Sequence, residues 1–504
     1  MVGKIFSCSI TGLDCHLIEV QADISPGLPS FTIVGLGDTS VQESKERVRS
    51  GIKNSGLKFP PNRKTINLSP AQLRKHGSHF DLPIAISLLV ADQKIPSEFF
   101  NESLIVGEIS LNGSIKKIKG VIAIAQFAKE QGFKKLYLPN QNALEASFIE
   151  GIEICPVRHL SEIFNHANGY CSLKPQPYNN PGRFRRGLRS YPFLNSIIGN
   201  EKAKRALKIT AAGNHNTLLF GSPGCGKTLL SRALRSILPE MTKDQILQTT
   251  KIYSIAGLLE NDLPLIQEKP FREVHHTSSA ISIIGGGNPL TPGEISLAHN
   301  GVLFFDEISE FHRATLEALR QPLEDKKINL SRIKHSVNFP SNFLFIATTN
   351  PCPCGYKGDS KINCICTQSQ IQNYQKKLSG PLLDRFDIFL EIEKVPMKTI
   401  LDKSIQDDGR DLKEVITANE IQKKRFQGSG ISHNSELTSE QISLYCPLNP
   451  RAKNLLERAA QNLHLSNRGY VKTIKLARTI ADLEGKDVID EACLAEAIQY
   501  RKTF

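Results

Sequence analysis

The segment from residue 221 to residue 228 has the spacing of a phosphate-binding loop. It reads GSPGCGKT and stands between an apolar run and a helical pattern. Glycines at this spacing let backbone N–H groups converge on phosphate oxygens at the start of a helix. We therefore expect Lys227 to reach the β- and γ-phosphates of a nucleoside triphosphate, and Thr228 to hold Mg²⁺ through its hydroxyl. The residues predicted to bind the nucleotide are Gly221, Ser222, Pro223, Gly224, Cys225, Gly226, Lys227 and Thr228.

A second motif supplies acidic residues suited to hydrolysis of the nucleotide. GVLFFDE (301–307) is an apolar strand that ends in Asp306 and Glu307. Ligands bind at the carboxyl ends of strands in open α/β sheets. We expect Asp306 to orient Mg²⁺ or its water, and Glu307 to polarise the water that attacks the γ-phosphate. Alone, this strand end would be a pair of solvated acids; the upstream phosphate loop favours the catalytic interpretation.

Two further strand ends carry polar residues that could complete the site. FLFIATTN (343–350) ends in Asn350, which can hydrogen-bond the attacking water or the γ-phosphate. In PLLDRFD, Arg385 stands between Asp384 and Asp387 near the edge of a fourth strand. An arginine at such a position often neutralises charge at the nucleotide of a neighbouring subunit. The alternative is a local salt bridge with one of the two aspartates.

A cluster of cysteines follows Asn350 directly. Thiolates at the spacing C-x-C-x₉-C-x-C suit tetrahedral Zn²⁺, although C-x-C is tighter than the usual C-x₂-C. Free thiols and an iron–sulfur cluster are the alternatives. The chain has 11 cysteines, an odd number, and no signal-peptide pattern, so we expect a cytoplasmic, reduced protein. The candidate zinc ligands are Cys352, Cys354, Cys364 and Cys366.

The elements that must position these residues divide the chain into segments. Residues 1–170 alternate short apolar runs with helical patterns, which predicts a mixed α/β layer. Residues 171–190 have the composition of a linker. Residues 191–395 contain strands without alternation, typical of a buried parallel sheet, and residues 396–504 predict a separate helical domain. The linker arginines either contact phosphates or solvate a hinge, and we favour the hinge: Arg183, Arg185, Arg186 and Arg189.

Composition limits the classes of protein to which the chain can belong. Its 504 residues suggest about three domains at roughly 150 residues each. With 40% apolar and 22% charged residues, the chain is neither disordered nor fibrous. No apolar run approaches the length of about 18 residues that predicts a membrane span. The net charge of +13 favours a polyanionic partner such as nucleic acid.

The order of GSPGCGKT, GVLFFDE, TTN and PLLDRFD resembles that of AAA+ ATPases. The stretch FREVHHTSSAISIIGGGNPLTPGEISLAHN (271–300) is similar to the magnesium-chelatase-like subgroup, and specifically to the ComM/YifB family. The resemblance implies a P-loop parallel-sheet core with a helical lid, preceded by an α+β Lon-protease-like domain that is not proteolytic. It matches Glu307, Asn350 and Arg385 to the catalytic glutamate, sensor 1 and the arginine finger. Arg468 matches sensor 2 in the lid, with Arg478 as the less favoured candidate.

The same resemblance implies a function. It implies a homo-hexameric ring that binds ATP and Mg²⁺ at subunit interfaces and acts on branched or single-stranded DNA, as a branch-migration helicase in recombination and natural transformation. The alternative is an ATPase that remodels a protein partner, as the chelatase motor subunit does. An ATP-dependent protease is disfavoured, because Ile122 occupies the position of the Lon lysine. Ser78 is the residue that would serve as nucleophile.

Two further stretches carry predictions of their own. His275, His276 and the run Gly285–Gly287 lie in or beside an insert that projects toward the pore in the resembling proteins. We interpret them as a mobile loop rather than a metal site. The N-terminal domain is expected to serve DNA or partner binding through a basic face made of Arg63, Lys64, Lys75, Lys116, Lys117 and Lys119.

Overall fold

The computed structural model describes most of the chain. The described residues are 2–182, 191–260, 263–287, 290–332, 335–359, 361–395, 409–463 and 465–501. The predicted arginine cluster at 183–189 and the start of the predicted lid, 396–408, lie outside these residues. Within the described ranges, every helix is too short or too polar to cross a membrane.

The N-terminal part of the chain forms a seven-stranded mixed sheet flanked by helices. The strand order is β3-β4-β2-β1-β5-β8-β9. The strands of this sheet are β1 (Gly3–Thr11), β2 (Asp14–Ser25), β3 (Ser30–Val34), β4 (Arg63–Ser69), β5 (Ser103–Ile105), β8 (Lys135–Pro139) and β9 (Glu153–Val157). Two further strands, β6 (Glu108–Ile109) and β7 (Ile115–Lys116), form a separate antiparallel pair. The helices are α1 (Thr39–Asn54), α2 (Asp81–Ala91), α3 (Val121–Glu130), α4 (Ala143–Ala146) and α5 (Leu160–Ala167).

Helix α2 is the centre of this layer, because every one of its residues is buried. The first part of the predicted linker adds to the same layer. The backbone N–H of Gln176 donates to Ile154 over 2.8 Å, and that of Asn179 donates to Ser147 over 3.0 Å. Residues 171–182 are therefore attached to the N-terminal domain rather than spanning free between domains.

The second sheet is the predicted parallel core. It has five strands in the order β11-β14-β17-β10-β18, all parallel. Three neighbouring strands, β14, β17 and β10, are buried along their whole length, as their unbroken apolar sequences require. The strands of the sheet are β10 (Thr217–Phe220), β11 (Phe271–Val274), β14 (Val302–Phe305), β17 (Leu344–Thr349) and β18 (Ile388–Glu391).

Helices and two hairpins surround this sheet. The hairpins pair β12 (Gly285–Gly286) with β13 (Thr291–Pro292), and β15 (Lys327–Arg332) with β16 (His335–Pro340). The helices are α6 (Glu201–Gly213), α7 (Lys227–Ala233), α8 (Lys243–Ala256), α9 (Ala280–Ile284), α10 (Glu294–Leu297), α11 (Arg313–Ala318), α12 (Arg320–Asp325), α13 (Gln368–Gln375) and α14 (Gly380–Leu383). The predicted α/β fold with a parallel-sheet core is thus confirmed.

The described part of the last segment is helical, as predicted. Its apolar side chains share one hydrophobic cluster with the parallel sheet: Leu456 and Leu476, for example, belong to the same cluster as Leu207 and Leu219. The segment therefore packs onto the core and does not bury its apolar surface alone. Its helices are α15 (Arg410–Arg425), α16 (Ser439–Tyr445), α17 (Pro450–Asn462), α18 (Asn467–Leu483) and α19 (Glu491–Gln499).

Candidate active site

The loop between β10 and α7 has the conformation that phosphate binding requires. Gly226 has φ +94° immediately before the helix, a region that side-chain-bearing residues rarely adopt. The loop carbonyls of Gly221 and Ser222 accept hydrogen bonds from Lys227 Nζ over 2.6 and 3.1 Å. Burial lowers the pKa of Lys227 below its ordinary value. The ammonium group is thus held inside the loop. A bound phosphate is negatively charged and would raise the pKa of Lys227 again, which favours the protonated form.

Strand ends β14 and β17 bring the other predicted residues to the same place. Lys227 Nζ also donates to Asn350 Oδ1 over 3.1 Å, and Thr228 Oγ1 donates to Asp306 Oδ2 over 3.1 Å. Hydroxyl and carboxylate oxygens are the ligands that Mg²⁺ prefers. Lys227, Thr228, Asp306 and Asn350 therefore meet at the carboxyl edge of the sheet.

Glu307 follows Asp306 in a strained backbone conformation. Its φ is +53°, and its backbone N–H donates to Thr348 Oγ1 over 2.9 Å. Thr348 Oγ1 in turn donates to Asp306 Oδ1 over 2.5 Å. Left-handed backbone at a residue other than glycine concentrates at functional sites. Sequence reasoning missed Thr348, although a polar residue at the end of a buried strand was the available signal.

Arg385 and Arg468 lie together, but at the opposite edge of the sheet. Arg385 precedes β18, and its carbonyl accepts from Asn216 Nδ2, just before β10, over 3.1 Å. Both arginines contact one carboxylate: Arg385 Nη2 is 2.5 Å and Arg468 Nη2 is 3.4 Å from Glu324 Oε1. Among the described ion pairs, Arg385 pairs with Glu324 and not with Asp384 or Asp387, the two aspartates considered for a local salt bridge. Asp387 pairs instead with Lys472 and His215.

These two arginines border a cavity of about 370 Å³ between α12, the sheet and α18. Lys472 and Lys475 line it as well. The second candidate for the sensor 2 position lies elsewhere: Arg478 is fully buried and donates to Asp482 and to backbone carbonyls of Lys486 and Asp487. Arg478 is consequently a structural residue, whereas Arg468 is open to an incoming group.

The cysteine cluster converges on one point. Cys352 Sγ lies 3.4 Å from Cys354 Sγ and 3.7 Å from Cys364 Sγ, and all four sulfurs, including that of Cys366, lie within 4.8 Å of one another. Tetrahedral Zn²⁺ with Zn–S bonds of about 2.3 Å places its sulfurs about 3.8 Å apart. The donor set fits zinc.

The histidine pair does not form a comparable group. His275 Nδ1 interacts with Thr277 Oγ1 at 3.1 Å. Among the residues that the structure describes, the four cysteines are the only group of three or more His, Cys, Asp or Glu whose ligand atoms converge. Nearby, Gly285 and Gly286 pair with β13, so part of the predicted loop is a short hairpin.

The N-terminal domain does not present the chemistry of a Ser–Lys protease. The Ser78 hydroxyl donates to the Glu108 carboxylate, and Ile122 is buried in the core. The predicted basic face is wrong for two of its members. Lys64 and Lys75 are buried and donate to backbone carbonyls, of Pro60 and Asn62 and of Pro70 respectively.

Comparison with known proteins extends over nearly the whole chain. The family described as magnesium chelatase, subunit ChlI, matches residues 193–400; subunit ChlI of Mg-chelatase matches 20–142, and the ChlI C-terminal family matches 411–501. Escherichia coli YifB is 39% identical over 97% of this chain and 95% of its own length. Competence protein ComM of Haemophilus influenzae is 38% identical over 99% of this chain and 97% of its own.

A more distant match concerns fold. Lon protease 2 of Bacillus subtilis is 25% identical over 45% of this chain and 42% of its own length. The motif order, the sheet topology and the full-length relatives agree with one another. The chain belongs to the ComM/YifB family of magnesium-chelatase-like AAA+ ATPases.

Proposed function

We propose that the protein is an ATP-hydrolysing motor whose subunits form a hexameric ring and act on DNA, as a branch-migration helicase in recombination and natural transformation. One observation carries the proposal. The phosphate-binding residues stand at one edge of the sheet, and Arg385 and Arg468 stand together at the opposite edge. Each subunit therefore contributes the phosphate-binding residues to one ATP site and the arginines to another. In a ring, the arginines of one subunit complete the ATP site of its neighbour.

Each residue has a defined task in this proposal. Lys227 binds the β- and γ-phosphates, and Thr228 with Asp306 would hold Mg²⁺, which neutralises phosphate charge. Glu307 takes up proton density from the attacking water, while Asn350 orients the γ-phosphate. The neighbouring subunit contributes Arg385 and Arg468, whose guanidinium groups stabilise charge that develops in the transition state.

The nucleic-acid part of the proposal has separate support. The chain carries a net charge of +13, and a relative at 38% identity bears the name competence protein. Binding to DNA phosphates releases counterions, so affinity for DNA should fall by about 10³-fold or more between about 50 and 200 mM salt.

ATP hydrolysis measured with and without DNA tests this function. Forked or four-way DNA should stimulate phosphate release by the wild-type protein, and Lys227→Ala should remove both the basal and the stimulated rate. A control with the same mass of duplex DNA separates recognition of branches from simple charge neutralisation. If DNA of every shape left the rate unchanged, the DNA function would be wrong and remodelling of a protein partner would replace it.

We propose further that Cys352, Cys354, Cys364 and Cys366 hold one Zn²⁺. The convergence of their sulfurs and the match to tetrahedral S–S separations support this. Elemental analysis of protein purified without added metal should give one zinc per chain. Replacing Cys364 and Cys366 by serine should remove it, whereas Cys171→Ser, at an exposed cysteine of the N-terminal domain, should leave it in place.

A further inference from the structure

The segment that carries the four cysteines packs directly on the phosphate loop. We call residues 351–367 the cysteine loop; it leaves β17 after Asn350 and ends where α13 begins. Gly355, in the middle of this loop, has φ +83°, and a Cβ built there would lie 2.6 Å from both Cγ and Cδ of Pro223. There is no room for a methyl group at this contact. The backbone of the cysteine loop at Gly355 therefore packs directly against the Pro223 ring of the phosphate loop.

An ion pair lies beside this contact. The side chain of Asp359 is only 4% exposed and forms an ion pair of 2.7 Å with Lys394, just beyond β18. Hydrogen bonding from Lys394 lowers the pKa of this carboxylate well below its ordinary value, and the side chain of Ser222 in the phosphate loop lowers it further. Lys394 Nζ lies 5.2 Å from the ring centroid of Tyr356. The cysteine loop, the phosphate loop and the end of β18 are thereby joined through one carboxylate.

The cysteine loop has little else to hold its shape. Its described residues form neither helix nor strand, and two of its apolar side chains face outward, with Ile362 43% and Ile365 85% exposed. A segment without an apolar core does not offset the entropy of ordering its backbone. The convergent sulfurs are the cross-link that can order it.

We propose that the cysteine loop forms one wall of the ATP site, and that a metal ion held by its four cysteines keeps the phosphate loop in its nucleotide-binding conformation. Asp359 is a positioning residue in this arrangement, since it acts on the nucleotide through Ser222. The inference rests on the proposed ATP and zinc sites and adds the coupling between them. An ordered wall reduces the cost of arranging the phosphate loop when ATP binds.

Two glycines of the cysteine loop give a matched test. Gly355 and Gly358 have nearly the same φ, +83° and +81°, so alanine strains the backbone equally at both positions. Only Gly355 contacts Pro223, because a Cβ at Gly358 meets nothing within 4 Å. In the full-length protein with Mg²⁺, Gly355→Ala should weaken binding of a fluorescent ATP analogue at least tenfold, while Gly358→Ala stays within about twofold of wild type. Equal affinities in the two variants, whether both retained or both reduced, overturn the inference.

Asp359→Asn tests the positioning residue. It should raise KM for ATP more than it lowers kcat, with zinc content unchanged, because the amide loses the charge that holds Lys394 and Ser222. Asp23→Asn, at an exposed position on β2, is the control. An unchanged KM overturns the role of Asp359.

Removal of the metal tests the coupling without any substitution. A zinc-selective chelator, with Mg²⁺ in excess, should weaken binding of the ATP analogue at least tenfold, and added Zn²⁺ should restore it. Circular dichroism checks that the rest of the fold is retained. If zinc leaves and the affinity does not change, the coupling is wrong while the zinc site stands. If the purified protein holds no metal, the zinc proposal fails and this inference fails with it.

Discussion

Two inactive variants should restore each other's activity when their subunits are mixed. Lys227 follows β10 at the carboxyl edge of the parallel sheet, and Arg385 precedes β18 at the amino edge. The neighbouring strand β18 is four residues long, so at about 3.3 Å per residue the two edges are about 13 Å apart. Lys227 Nζ is held inside the phosphate loop and Arg385 is held on Glu324 at the other edge, so the two side chains of one subunit serve different sites. Each proposed site therefore takes Lys227 from one subunit and Arg385 from the next.

The size of the effect follows from this division. Removing an arginine finger lowers hydrolysis by about 10³-fold or more, and Lys227→Ala should abolish it. Consider rings assembled at random from equal amounts of Lys227→Ala and Arg385→Ala subunits. A site is intact only when its lysine comes from an Arg385→Ala subunit and its arginine comes from a neighbouring Lys227→Ala subunit. Each condition holds with a probability of about one half, so about one quarter of the sites are intact. The mixture should hydrolyse ATP at about a quarter of the wild-type rate.

The assay is phosphate release after the two proteins have been mixed without nucleotide. The matched control is a mixture of Lys227→Ala with Glu307→Gln. Both of these residues belong to the same half of a site, so no arrangement of subunits produces an intact site and the mixture should stay inactive. Differently tagged subunits that co-purify demonstrate that mixed rings have formed. If such rings of Lys227→Ala and Arg385→Ala were as inactive as either parent, the shared site would be refuted.

Three other measurements test the site and the fold. Glu307→Gln should retain bound ATP through gel filtration but hydrolyse it slowly, because an amide does not polarise water. Asp482→Asn should lower the free energy of unfolding by about 3–5 kcal/mol, measured by urea denaturation, because the buried carboxylate pairs with two arginines. Burial holds the pKa of His79, His299 and His433 at about 4, below the ordinary value of 6.5. The unfolded chain therefore binds more protons between these values, and stability should fall as pH is lowered from about 6.5 to about 4, by up to about 1.4 kcal/mol per pH unit for each histidine.

The half of the site at the carboxyl edge could be predicted because parallel sheets impose it. Apolar strands ending in Asp306 and Asn350 must place these residues beside the phosphate loop when the strands are neighbours. The sequence carries both the strand pattern and the polar end residues. Thr348 belongs to the same set, since it donates to Asp306 and accepts from the backbone of Glu307, but these contacts depend on the neighbouring strand and are not visible in its own segment.

The number of basic residues in a segment, in contrast, does not show which of their side chains are buried. Lys64 and Lys75 are basic residues and are therefore predicted to belong to a basic face. In the structure their ammonium groups are buried and donate to nearby backbone carbonyls. These carbonyls belong to irregular segments two to five residues before each lysine, and no sequence pattern shows that the lysines fold back onto them. The pairing of Arg385 and Arg468 on Glu324 has the same origin, because the three residues come from separate elements.

The shared carboxylate bears on how a ring would become active. The side chains of Arg468 and Glu324 are 62% and 49% exposed, and ion pairs of that kind contribute about 0–1 kcal/mol each. Arg385 is held more firmly, because its side chain is only 11% exposed and also donates to the carbonyl of Pro381. In the proposed ring, a γ-phosphate carries more charge than a carboxylate and would therefore draw Arg468 away from Glu324 before Arg385. On the other subunit of the proposed ring, the same phosphate would contact the phosphate loop, which packs on Gly355 of the cysteine loop. Loss of the arginines should therefore slow hydrolysis of ATP that still binds, whereas disruption of the cysteine loop should weaken the binding of ATP itself.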